Sequence, residues 1–153
     1  MTNTVCITVK DFGKITFELY PDKAPVTVEN FKKLVAEGHY DGTIFHRVIN
    51  GFMIQGGAGS GAANIKGEFA ANGVQNDLSH VRGVVSMARA KAYNSASDQF
   101  FICQGSPTYL DGNYAAFGKV TEGMDVVDAI AAVSTNASDR PYTDVVIESI
   151  VFV

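Results

Sequence analysis

The chain has 153 residues, of which 18% are charged and 46% hydrophobic, with 15 Gly, 4 Pro and no Trp. That is enough for one ordinary domain over residues 1–153 and lies far from the composition of disordered or collagen-like chains. Twelve Lys and Arg against sixteen Asp and Glu leave a formal charge of -4, which offers phosphate backbones no positive field and excludes nucleic acid as a main partner.

The chain opens with an alternating run: Val5, Ile7 and Val9 on one parity, Thr4, Cys6 and Thr8 on the other. After the turn signal Asp11 to Gly13, Ile15, Phe17 and Leu19 repeat the alternation, so a hairpin is expected. Pro25 then suits the first turn of a helix, read from Val26 to Glu37, whose stripe is Val28, Phe31, Leu34 and Val35 and whose stop is Gly38. Further strands are expected over Ile44 to Ile49, Phe52 to Gln55, Gly83 to Ala88, Gln99 to Cys103, Tyr114 to Val120 and Asp144 to Phe152. A second helix fits Met124 to Val133, with Met124, Val127, Ile130 and Ala131 on one face. Two helical segments set far apart among eight short strands exclude a run of βαβ units. The pattern favours a mainly β fold, an antiparallel barrel whose ends the helices cover.

Several chemistries find no support. Cys6 and Cys103 are too few and too far apart for a disulfide framework or a zinc site, so a reducing, cytoplasmic setting is expected. No basic leader followed by an apolar stretch, and no run of about 18 apolar residues, points to export or a membrane span. Gly57, Gly59 and Ala62 satisfy GxGxxA in letters, but no helical stripe follows to face a pyrophosphate, and a flexible loop is the better reading. His39, His46 and His80 lack metal-ligand spacing, so no metal or cofactor is expected. Ser60 is outside any GxSxG, and nothing marks out a Ser/His/Asp triad.

Two segments stand out, FHRVINGFMIQGG (Phe45 to Gly57) and SMARAKAYNSASDQFFICQG (Ser86 to Gly105). Arg47, Met53 and Gln55 share odd parity and lie on one face if the Asn50-Gly51 break preserves register. Gln99 and Phe101, at i and i+2, present a second amide and an aromatic ring on one side of a strand.

Together with YLDGNYAAFGKV, ITFELYPDKAPVTVENF and VTEGMDVVDAI, these blocks resemble the cyclophilin family of peptidyl-prolyl cis/trans isomerases over nearly the whole chain. The resemblance implies an eight-stranded closed antiparallel barrel capped by two helices, with an active groove on its outside. It implies that Arg47 is the catalytic arginine, supported by Gln55, and that Phe52, Met53, Phe101 and Leu110 form a proline pocket. Gln55, Gln99 and the backbone at Ala88 and Arg89 correspond to groups that hold the substrate chain, and Gly59 to a loop residue beside the groove.

Tyr109 stands where many members carry Trp, and Tyr114 where many carry His. Both remain candidate substrate contacts, and cyclosporin is expected to bind with reduced affinity. The segment from Ala90 to Asp98 resembles bacterial-type members. The implied partners are proline-containing peptides and folding protein clients, met by a monomer. The implied reaction is rotation about X-Pro bonds, the alternative being a module that binds proline peptides without turning them over.

Overall fold

A computed structural model describes every residue from Met1 to Val153. β1 (Thr4–Val9) and β2 (Gly13–Leu19) form the opening hairpin, pairing from Thr4 with Glu18 to Val9 with Gly13. α1 follows at Pro25–Ala36 and buries Val28, Phe31, Leu34 and Val35. Its first residue is the proline, whose missing N–H costs nothing there, and its capping position is Ala24, which has no side-chain acceptor. The cap comes from far along the chain. The buried Glu68 carboxylate accepts the Thr27 N–H at 2.6 Å, the Thr27 hydroxyl at 2.7 Å and the Val26 N–H at 3.2 Å. A negative charge on free N–H groups at a helix start is favourable for both hydrogen bonding and the helix dipole.

The remaining strands are β3 (Arg47–Ile49), β4 (Met53–Gly56), β5 (Val84–Met87), β6 (Phe100–Cys103), β7 (Ala116–Glu122) and β8 (Ile147–Phe152). α2 (Met124–Ala131) lies between the last two. All pairings are antiparallel, in the order β3-β4-β6-β5-β7-β2-β1-β8. No helix is long and apolar enough to cross a membrane.

The expected mainly β architecture of eight antiparallel strands and two helices is present, with one refinement: the sheet is open, because its outermost strands, β3 and β8, share no ladder. The segments just before them meet instead. Ile44 bridges Val146, Phe45 donates to the Val145 carbonyl at 3.0 Å and Ile147 to the Thr43 carbonyl at 2.7 Å. The Val48 N–H turns to the Asp139 carbonyl at 2.8 Å. A loop therefore occupies the outer edge of β3 and satisfies the donor that a closing strand would have taken.

Because side chains alternate across a strand, β4, β5, β6 and β7 each serve two clusters. Their inner faces supply Ile54, Val85, Met87, Phe100, Ile102 and Phe117 to a 30-residue interior cluster that also receives the buried stripes of both helices. Phe31 sits at its centre, with ring centroids 5.8 Å from Phe17, 5.3 Å from Tyr40, 5.8 Å from Phe100 and 5.2 Å from Phe117. Their outer faces supply a second cluster of five, Met53, Val84, Phe101, Cys103 and Ala116, against which Phe52, Leu110 and Tyr114 pack.

Candidate active site

Met53 and Phe101 of the second cluster form the floor of a hollow of about 140 Å³ on the outside of the sheet. Arg47, Phe52, Met53 and Gln55 line it from β3, β4 and the turn between them. Ala88 and Arg89 follow β5, Phe101 comes from β6, and Leu110 and Tyr114 come from the segment before β7. The Asn50-Gly51 break keeps register: Arg47 pairs with Gln55 and Ile49 with Met53. Gly51 has φ +85°, where a glycine costs least. Arg47, Met53 and Gln55 therefore share the outer face, as their parity predicts.

Arg47 is exposed at the mouth of the hollow. Its Nη1 donates to Gln55 Oε1 at 3.4 Å, and Gln55 Nε2 in turn donates to Gln99 Oε1 at 2.9 Å. This amide chain leads into a neighbouring cleft of about 430 Å³ lined by Gly59, Ser95, Ser97 and Gln99, with Gln55, Ala88 and Arg89 shared between cleft and hollow. Gly59 has φ +79°, and a Cβ there would lie 2.8 Å from Gln99 Nε2, so a side chain would push that amide away. Tyr109 stays on the rim, 73% exposed, its ring centroid 6.2 Å from that of Phe52.

The lining combines two guanidinium groups, a carboxamide, the Tyr114 phenol and apolar side chains, without a carboxylate, thiol, serine or imidazole. Such a wall lacks the serine or thiol nucleophile of acyl transfer and the carboxylate or imidazole that would act as acid or base near neutrality. It can seat a small apolar ring and present a cationic donor beside it.

The structure also brings together residues that sequence reasoning did not single out. Asp98, fully buried, accepts the Ala58 N–H at 2.8 Å and the Gly59 N–H at 3.1 Å, and lies 2.9 Å from His39 Nε2. The loop expected to be flexible is thus pinned at residues 58–59, because a buried carboxylate must find donors and two of its backbone N–H groups supply them.

Behind Phe101, His80 Nδ1 lies 2.9 Å from Asp111 Oδ1, and Nε2 lies 2.9 Å from Ser86 Oγ. Its ring stacks on Phe101 at a centroid distance of 6.0 Å and an interplanar angle of 19°. These are the residue types of a hydrolytic triad, but Ser86 is completely buried. The group is a brace behind the floor and holds no substrate. Burial lowers the His80 pKa despite the neighbouring Asp111, and raises that of the Cys103 thiol, in the same cluster, to about 12. The one signal available beforehand was Ser86 itself, a polar residue in an apolar strand that must find a partner when buried.

In sequence and fold the chain is similar to known proteins. The family model "Cyclophilin type peptidyl-prolyl cis-trans isomerase/CLD" matches residues 4–152. A peptidyl-prolyl cis-trans isomerase of Streptomyces antibioticus is 47% identical, the match covering 90% of this chain and 91% of the relative. Peptidyl-prolyl cis-trans isomerase B of Escherichia coli K12 is 43% identical, covering 90% and 93%. The crystal structure of a Cryptosporidium parvum cyclophilin type peptidyl-prolyl cis-trans isomerase, in the presence of the dipeptide Ala-Pro, superposes with a TM-score of 0.86 at 33% identity, covering 97% of both chains.

Proposed function

Because the chain belongs to the cyclophilin family of peptidyl-prolyl cis/trans isomerases, we propose that the hollow beside Arg47 is where it turns X-Pro bonds, with Phe52, Met53, Phe101 and Leu110 seating the proline ring. The observation that carries this reading is a guanidinium at the mouth of a largely apolar hollow whose wall holds no serine, thiol, carboxylate or imidazole.

Rotation about X-Pro breaks amide resonance across a barrier of about 20 kcal/mol, and no bond is made or cut. As the amide twists, the prolyl nitrogen regains a lone pair and the carbonyl loses charge. A donor aimed at nitrogen therefore stabilises the transition state more than the planar ground state. Arg47 fits that role: its charge is permanent, its fork is planar, and Gln55 Oε1 lies 3.4 Å from Nη1 to orient it. The apolar seat contributes through solvent exclusion, since the twisted amide is less polar than the planar one. The backbone at Ala88 and Arg89, just past the end of β5, with Gln55 and Gln99, holds the flanking chain while the acyl side turns. Holding a proline ring alone does not require a cation, which favours turnover over mere binding.

On this reading the physiological substrates are proline-containing segments of folding clients, met by a cytoplasmic monomer. Cyclosporin binds weakly, because the rim carries the exposed Tyr109 phenol in a chain with no indole. Exchange spectroscopy on a short Ala-Pro peptide tests the assignment. Arg47→Ala is expected to abolish nearly all catalysed exchange while peptide binding persists, and equal exchange rates for variant and parent would remove Arg47 from the mechanism.

A further inference from the structure

The Arg89 side chain is half-buried in a chemically unusual place. Its guanidinium carbon lies 4.7 Å from the ring centroid of Tyr114, 5.0 Å from that of Phe69 and 5.3 Å from that of Tyr93. Its donors are taken by main-chain carbonyls. Nη2 and Nε reach the Asn113 oxygen at 2.8 and 3.1 Å, and Nη1 reaches those of Ala90 and Lys91 at 3.0 and 3.1 Å. No carboxylate pairs with it, and these carbonyls take four of its five N–H groups.

These contacts join the two walls of the groove. Ala90 belongs to the wall of the side cleft, and Tyr114 to the wall of the hollow, where its ring meets Phe101 edge-on at 6.0 Å and 84°. Neither wall is regular secondary structure: residues 88–99 and 111–115 lie between strands. Segments of that kind need side-chain ties to hold one conformation. A guanidinium suits the task because one planar group can stack on rings and donate in its own plane at once, which an ammonium cannot do.

We propose that Arg89 is a positioning residue for substrate binding: its side chain staples the 90–91 and 113–114 segments together, fixing the Tyr114 ring and the groove width between hollow and cleft, and does not serve as a charge for acidic clients. The inference rests on the reading of the hollow as the proline seat. Loss of the staple leaves the reacting amide and Arg47 untouched; by loosening Tyr114 and the groove walls it weakens ground state and transition state alike. It therefore raises KM and leaves kcat near that of the parent.

The test is steady-state isomerisation of an Ala-Pro and a Glu-Pro peptide by the parent, Arg89→Lys and Arg89→Met, at low and high salt, with the Tyr114 ring resonances followed by NMR. Met retains the apolar stem, and Lys retains the charge. The expected result is a rise in KM of about tenfold in both variants and for both peptides, with kcat within about twofold and Tyr114 resonances moved toward averaged positions. Restoration of parental KM by Lys, or a loss confined to the Glu-Pro peptide and erased by salt, would show Arg89 acting as a charge and overturn the proposal. Unchanged KM in Met would overturn it as well. Parent protein without catalysed exchange would instead defeat the reading of the hollow, a result distinguishable from any failure at Arg89.

Discussion

Phe100 and Phe101 are neighbours in β6, both buried, yet they belong to different regions of the molecule. Phe100 enters the interior cluster, where it meets the Phe31, Tyr40 and Phe45 rings. Phe101 faces outward, into a layer of five residues whose supports include the polar His80–Asp111–Ser86 brace. The interior holds itself mainly by packing, while the outer layer is too thin for that and relies on hydrogen bonds to hold a ring in place. Stability should therefore reside mainly in one region and rate in the other.

The comparison breaks if a change in the interior alters rate per folded molecule. Phe31→Ala removes the ring on which four aromatic neighbours converge, and a loss of about 3–5 kcal/mol is expected by denaturant unfolding. Exchange activity per folded molecule should stay close to that of the parent. A loss below about 1 kcal/mol would mean that the interior repacks around the gap. At the groove the expectation reverses. Arg47→Ala should lower kcat by about two to three powers of ten. Arg47 is exposed and bonded only to Gln55, so its unfolding midpoint should not move.

Asp98 lies where the regions join, and it sharpens the contrast. The Tyr40 hydroxyl, from the interior, donates to its main-chain oxygen at 2.7 Å, while its carboxylate holds residues 58 and 59 beside the groove. Asp98→Asn keeps the shape but turns an amide NH2 toward backbone donors. A loss of about 1–3 kcal/mol is expected, together with a higher KM as Gly59 and Gln99 loosen. Stability lost at constant KM would show that the loop does not shape the groove.

What the sequence revealed follows the same division. Alternation placed both hairpin strands, the α1 stripe and the shared face of Arg47, Met53 and Gln55, because strand and helix periods are local properties. Where tertiary bonds overrule propensity, the expected bounds shift. Residues 44–46 read as strand but reach Val145 and Val146 only through a bridge and one backbone bond, leaving β3 at Arg47–Ile49. Tyr114 reads as the start of a strand, yet β7 begins at Ala116, where its ladder with β5 starts, and the Tyr114 ring packs under Arg89 instead. Leu110 belongs to a single 3₁₀ turn, Thr108–Leu110, with no periodicity to announce it, so only family resemblance pointed to it. The brace was not legible, since His80 and Asp111 are 31 residues apart and only the fold makes them neighbours.

That brace gives the smallest expected effect, and its sign can be worked out. His80 is 1% exposed, with both ring nitrogens bonded, and burial outweighs Asp111 in lowering its pKa below 6.5. In the unfolded chain the imidazole titrates near its ordinary value of about 6.5. Between the two values the unfolded chain binds more protons, so acid favours unfolding. The stabilisation is complete above pH 6.5 and is lost as pH falls through the folded value. Asp111 adds a second step of the same sign. Partial burial works to raise its pKa, but bonds from the Ser79 hydroxyl and from His80 outweigh it and hold the carboxyl below 3.8, so its contribution fades as pH falls below that value. His46, also lowered by burial, adds to the slope without touching the brace. Denaturant unfolding at pH 7.5 and 5.5 should show the parent losing stability in acid and His80→Gln losing less, with the His46 share remaining. Identical losses in both proteins would mean that the histidine behind Phe101 accepts its proton as readily in the fold as in water, and that the outer layer is not sealed as its burial implies.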